Sequence, residues 1–209
     1  MNRFFLVLVG CLGVAGLPGQ ARSQSPNPTI PMPPGGWPGR YPVTQADADF
    51  FTGMISHHAQ AIVMAKWAPT HGASPRVATL CARIINAQGD EINLMQTWLR
   101  DRKLPVPEAK PLPMKMHMNG VEHEMMMPGM LTDQQMKELE QAQGPEFDRL
   151  FLTYMIQHHK GALTMVNDLL AAPGAAQDDV AFKMSSDIFA DQTFEIERMT
   201  QMLAQLPPR

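Results

Sequence analysis

Two short runs in this chain carry side chains that bind soft metal ions. One is Met54-Ile55-Ser56-His57-His58, followed at helical spacing by Met64. The other is Met155-Ile156-Gln157-His158-His159, followed by Met165. Imidazole nitrogen and thioether sulfur are good ligands for copper and poor ones for magnesium or calcium. Adjacent residues on a helix are about 100° apart. Each His-His pair would therefore straddle a helix face. A third run is denser and less regular. Between Met114 and Met130, seven of seventeen residues are methionine. Its candidate ligands are Met114, Met116, His117, Met118, His123, Met125, Met126, Met127 and Met130. Thioethers hold Cu(I) and stay usable in an oxidising compartment, where thiols would be oxidised.

The two His-His runs belong to a repeat. Phe50 to Met64 and Phe151 to Met165, offset by 101 residues, are identical at eight of fifteen positions. Chance at ordinary composition gives roughly one. Downstream, Gln88, Glu91, Ile92 and Met95 match Gln192, Glu195, Ile196 and Met199 at an offset of 104. Each half reads as a helical hairpin that cannot bury its own apolar face. Two such hairpins make a four-helix bundle with approximate two-fold symmetry.

Start and stop signals place the helices. Thr44 and Asp47 form a capping box, and Pro69 and Gly72 end the first helix near Ala68. Ser74-Pro75 starts a second, which runs to about Arg102 and breaks at Leu104-Pro105-Val106-Pro107. Thr132 and Gln135 cap a helix interrupted at Gly144-Pro145. It resumes from about Glu146 to Ala172. Pro173-Gly174 stops it, and a last helix covers about 177 to 205. No β-type alternation persists, so the expected class is all-α, with residues 104–131 as a long irregular Met-rich connection.

On these helices the apolar seams are interrupted by polar groups at mid-length. His57 and His158 fall on the seams of the first and third long helices. Gln88 with Glu91, and Gln192 with Glu195, fall on those of the second and fourth. A buried polar group without a partner costs roughly 2–7 kcal/mol. These groups must therefore satisfy each other or a ligand. The expected ligand set is His57, His58, His158, His159, Met54, Met64, Met155 and Met165. Glu91 and Glu195 would accept imidazole N–H groups and fix the tautomer, with Gln88 and Gln192 beside them. The bland reading is a bundle whose His–Glu–Gln network is purely structural, since core methionine is usually packing. Asp47 and Asp148 read as first-turn acids, His71 as a solvated helix end, and Cys81 as a small core residue.

Composition sets the surroundings. Asn2 and Arg3, the apolar run Phe4 to Leu17, and small residues at Gly19, Ala21 and Ser23 read as a secretory signal over residues 1–23. Its removal takes two basic residues and moves net charge from −3 to −5, which does not suit a nucleic-acid binder. Cys11 leaves with it, so only Cys81 remains and no internal disulfide can form. Lipoprotein anchoring through Cys11 is the less favoured variant. Residues 24–43, with seven prolines and three glycines, read as a disordered tether. The bundle domain is then 44–206, with repeats at 44–103 and 132–206. No stretch is long and apolar enough to span a membrane.

The doubled Phe-x3-Met-Ile-x-His-His-x2-Ala-x2-Met pattern, with Met127-Pro128-Gly129-Met130-Leu131-Thr132 before its second copy, resembles the domain-of-unknown-function 305 family. The resemblance covers about residues 46 to 205. It implies a ferritin-like four-helix bundle and, more weakly, periplasmic copper handling, because the family includes exported bacterial copper-binding proteins of the CopM type. The expected cargo is copper, Cu(I) ahead of Cu(II), handled without catalysis and passed on to other envelope copper-handling proteins. Alternatives are a metal-free envelope module and a ferritin-like metalloenzyme. The second of these lacks its Glu-x-x-His signature here. Imidazole sites should lose copper as pH falls through about 6.5, whereas thioether sites should not.

Overall fold

The computed structural model describes residues 29–31, 42–118 and 121–207, with backbone alone for 114–125. The signal segment with Cys11, and Trp37 and Tyr41 of the tether, lie outside the described residues. Five helices and one hairpin follow in order: α1 (Gln45–Lys66), α2 (Pro75–Asp101), β1 (Met114–Met118), β2 (Val121–Met125), α3 (Asp133–Gln141), α4 (Pro145–Ala171) and α5 (Asp179–Ala204). α1 packs on α2 and α4 on α5, and the two hairpins meet along α1 and α4. The fold is the expected all-α bundle.

Local chemistry explains the boundaries. The Thr44 hydroxyl accepts from the Asp47 N–H, and the Asp47 carboxylate returns the bond, completing the capping box. Ser74 caps α2 ahead of Pro75, Thr132 and Gln135 box α3, and Asp178 caps α5. Each cap satisfies N–H groups that a helix leaves without internal partners.

The two first-turn acids reach across the bundle. Asp47 Oδ1 accepts from the Ala176 N–H at 2.7 Å, in the α4–α5 turn. Asp148 accepts from the Ser74 N–H at 3.1 Å, in the α1–α2 turn. Each hairpin's first helix thus holds the other hairpin's turn, and the internal duplication becomes a reciprocal lock.

Apolar packing falls into two clusters. One holds Phe50, Phe51, Met54, Ile55, Ile92, Met95, Trp98, Ala162, Met165 and Ile188. The other holds Ala61, Met64, Leu80, Cys81, Ile84, Phe147, Phe151, Met155 and Met199. The gap between them falls at 56–60 on α1, 85–91 on α2, 156–161 on α4 and 189–198 on α5. That gap is the polar layer.

Three local readings change. His71 is not solvated: it is 8 % exposed. Its ring nitrogens lie 2.9 Å from the Trp67 carbonyl and 2.7 Å from the Glu140 carbonyl, and its own carbonyl accepts from Gly144 N–H. The helix end where it sits is covered by the α3–α4 junction, which sequence-local reasoning does not see. Among its described residues the tether is attached to the bundle. Ile30 N–H donates to the Val43 carbonyl, Thr29 bridges to Thr44, and Ile30 packs on the first cluster. Part of the Met-rich connection is also regular: β1 and β2 pair antiparallel, Met114 opposite Met125 and Met116 opposite His123.

Cys81 is 2 % exposed. Burial first, and the Asp148 carboxylate second, push its thiol up to about 12. The thiolate is the form that ligates and reacts. Folded Gln24–Arg209 should therefore show no reaction with a disulfide reagent at pH 8 until denaturant unfolds it. Equal labelling rates in the native and denatured protein would contradict this burial.

Candidate metal centre

The polar layer is built by all four long helices. His57, His58, His158 and His159 are each 0 % exposed. His57 and His158 meet where α1 crosses α4, with ring centroids 3.7 Å apart and planes tilted by 39°. At that separation the rings touch, and no ion fits between their faces. His58 and His159 sit to either side, 6.3 and 6.2 Å from their helix neighbours.

Hydrogen bonds assign the tautomers. His58 Nε2 donates to Glu91 Oε2 at 2.8 Å, and His159 Nε2 donates to Glu195 Oε2 at 2.6 Å. His57 Nε2 donates to the Pro128 carbonyl at 3.0 Å. A neutral imidazole with its proton on Nε2 leaves a lone pair on Nδ1. The Nδ1 atoms of His57, His58 and His159 are buried without a hydrogen-bond partner among the described residues, as are both nitrogens of His158. Buried polar atoms in folded proteins nearly always find partners. Five such nitrogens within one layer are what metal ligation would satisfy, so the donor set fits a soft or borderline ion.

The protonation states agree with that chemistry. Burial, reinforced by His58, lowers His57 to about 3. Burial, reinforced by His57, holds His158 well below the usual histidine range. Both rings are neutral at physiological pH.

The methionines flank the layer. Because α1 and α4 run antiparallel, Met54 and Met165 share the apolar cluster on one side, and Met64 and Met155 share the other. Met127 and Met130 are buried in the cluster of Met54, while Met126 is 44 % exposed. The side chains of Met114, Met116, His117, Met118, His123 and Met125 lie outside the described residues. Of their two strands, β1 runs beside α1. Among the described residues, no three His, Cys, Asp or Glu side chains gather closely enough to chelate one ion. A complete site here therefore draws on few imidazoles, with thioether help.

One part of the site escaped sequence reasoning: a strap from Met127 to Leu131. Gly129 has φ +77° and Met130 N–H donates to the Met127 carbonyl, a turn of the Pro-Gly type. Gln60 exchanges two hydrogen bonds with the backbone of Leu131, at 2.7 and 3.0 Å. Gln157 donates to the Gly129 carbonyl. The strap lies on bare helix backbone, since a Cβ at Gly161 would stand 1.9 Å from the Pro128 carbonyl oxygen. Its Pro-Gly pair was a visible turn signal. Its target was not, because Gly161 aligns with Gln60 and looks like drift within the repeat.

The family model described as "Domain of unknown function (DUF305)" matches residues 47–203. A solved DUF305 protein of Streptomyces coelicolor is 29% identical, with TM-score 0.65, over 77% of this chain and 93% of that one. CopM in its Cu(II)-bound form is 32% identical, with TM-score 0.59, over 76% of this chain and 95% of CopM. CopM has also been solved in a Cu(I)-bound form, 30% identical with TM-score 0.57, over 75% of this chain and 94% of that one. An uncharacterised protein of Acanthamoeba polyphaga mimivirus shares 43% identity over 58 residues, which are 28% of this chain and 38% of that protein.

Proposed function

This chain belongs to the DUF305 family, and from that premise and the histidine layer we propose that it is an exported copper-binding protein. It would sequester, store or deliver the ion without transforming it. One observation carries the reading: in both halves a glutamate accepts a hydrogen bond from the Nε2–H of a buried histidine, which leaves its Nδ1 as a lone pair with no partner among the described residues. A structural histidine needs a partner for each nitrogen, whereas a ligand needs one nitrogen bonded and the other free.

His57, His58, His158 and His159 would supply the imidazole ligands, no more than two of them to any one ion, with the thioethers of Met54, Met64, Met155 and Met165 above and below. A low-coordinate site of imidazole and thioether suits Cu(I). The methionine-rich hairpin, with Met116 opposite His123, would be a weaker second site. Copper bound in CopM supports the reading. The amino-terminal signal supports export, to the periplasm or beyond, where other copper-handling proteins would be the partners. Catalysis of the di-iron kind is disfavoured because no Glu-x-x-His occurs in the chain.

The test is a competition titration of Gln24–Arg209 with a Cu(I) chelator. Binding tighter than micromolar is expected, with loss of most of it when all four histidines become alanine in a protein that keeps its helical spectrum. Failure to bind more tightly than micromolar, or undiminished binding by the quadruple variant, would defeat the assignment to the bundle.

A further inference from the structure

One piece of chain, Met126 to Met130, joins the methionine-rich hairpin to the histidine layer. β2 ends at Met125, which stands opposite Met114. Three of the next five residues are methionines. Their exposure falls from 44 % at Met126 to 7 % at Met127 and 6 % at Met130. The Pro-Gly turn is closed by the Met130 N–H on the Met127 carbonyl. Both of these residues are buried in the apolar cluster that holds Met54, and Met54 lies one helical turn before His57. In the same turn the Pro128 carbonyl accepts from His57 Nε2 at 3.0 Å. The two Gln60–Leu131 bonds hold the strap against α1. Thioethers thus stand in sequence from solvent to the first imidazole.

That order matters because all four imidazoles are sealed from water. An apolar cluster strongly disfavours a cation that has neither water nor a ligand. An ion that reaches the layer must therefore be ligated at each step. Thioether sulfur is a ligand for Cu(I), and the unbranched methionine side chain adapts its shape easily. The cleft between α2 and α5 reaches the edge of the layer at Glu91 and Glu195. Its lining contains no thioether and no imidazole, so it offers a soft ion no such step.

We propose that the strap is the loading route of the bundle: Met126, Met127 and Met130 pass Cu(I) between the hairpin and the histidine layer by way of Met54. The proposal rests on the copper reading and adds how the ion crosses the core. Each step exchanges one copper–sulfur bond for the next, and the last exchanges sulfur for imidazole nitrogen. The ion keeps its oxidation state throughout, and no proton moves, because a neutral imidazole already presents its lone pair. The strap serves the two halves unequally. It enters the cluster of Met54 and Met165, so copper arrives on that side of the layer and not on the side of Met64 and Met155.

Stopped-flow mixing of Gln24–Arg209 with Cu(I) held by bicinchoninate tests the route, with copper transfer followed through the colour of the chelator. The layer's phase is the one that the four-histidine alanine variant lacks. The triple variant Met126→Leu, Met127→Leu, Met130→Leu nearly conserves side-chain volume and should keep its native helical spectrum. In it that phase should slow at least about tenfold, in loading and in release to excess chelator alike, because each step loses its ligand. Met126→Leu alone, at an exposed position outside the core, should slow it as well. Met136→Leu, on α3 and packed against the second cluster, should leave it unchanged. Unaltered rates in the triple variant overturn the proposal, as does equal slowing by Met136→Leu. Weaker binding at an unaltered loading rate would make the three methionines ligands and overturns it too. A wild-type protein with no histidine-dependent phase removes the copper reading itself, and the route with it.

Discussion

Gly161→Ala is expected to destabilise the protein by about 2–4 kcal/mol, while Gly89→Ala should leave it unchanged or up to about 1 kcal/mol more stable. Both glycines sit inside long helices, where alanine is the better helix former. The difference lies outside the helix. Nothing stands within 4 Å of a Cβ at Gly89, whereas one at Gly161 would meet Pro128 O at 1.9 Å and Gly129 Cα at 2.6 Å. These are backbone atoms, which cannot swing aside as a side-chain tip can. The strap must lift, and three sets of contacts go with it: the His57–Pro128 bond, the Gln60–Leu131 pair, and the burial of Met127 and Met130. Overpacking of this kind costs about 1–3 kcal/mol and the lost contacts add to it, against the small helix gain. Denaturant midpoints of the two variants decide the matter. A Gly161→Ala midpoint equal to wild type would mean that the strap is not seated on α4. Copper affinity should fall in the same variant, because His57 loses the acceptor that orients it.

The same contrast shows what was legible in the sequence. Helix ends were, because caps are local: Thr44 with Asp47, Ser74 with Pro75, and Thr132 with Gln135 act within one turn. The polar layer was, because the repeat put His, Gln and Glu on otherwise apolar seams, and burial then forces such groups together. That Glu91 and Glu195 accept imidazole N–H groups followed from the matched positions; which histidine each one takes, His58 and His159, did not. The strap's landing on Gly161, the cover over His71 and the attachment of Ile30 were not legible. Each is a contact between segments distant in sequence, made by backbone groups that every residue carries. No residue type announces them. The fit of Asp47 and Asp148 to the opposite hairpin's turn belongs with these, since a first-turn acid looks the same whether it caps only its own helix or also grips another.

Replacing His158 with leucine should stabilise the metal-free protein at pH 7 by about 1–3 kcal/mol and at the same time weaken copper binding. Neither nitrogen of His158 has a hydrogen-bond partner among the described residues, and its ring lies against that of His57 at a tilt of 39°. No hydrogen bond to its ring nitrogens among the described residues offsets its desolvation. A leucine of similar volume removes that cost and a candidate ligand together, the trade expected where a site is kept for function. The pH dependence sharpens the case. In the folded protein His57 is lowered to about 3 and His158 lies well below its ordinary 6.5. In the unfolded chain both take up a proton near 6.5, so between 6.5 and about 3 the unfolded state binds more protons. Stability should therefore be level above about pH 7 and should fall as pH drops below about 6.5, by about 1.4 kcal/mol per pH unit for each histidine. Two histidines give about 2.7 kcal/mol per unit, enough to exhaust an ordinary stability of about 5–15 kcal/mol within a few units. His158→Leu should halve that slope. Burial also changes what acid does to copper. Protons compete for these two nitrogens only well below 6.5, so release on acidification should follow unfolding of the bundle more than titration of the folded site. Denaturant titrations of wild type and His158→Leu at pH 7.5, 6.0, 5.0 and 4.0 measure all of this. A variant less stable than wild type at pH 7, with an unchanged acid slope, would show that His158 is a satisfied structural residue.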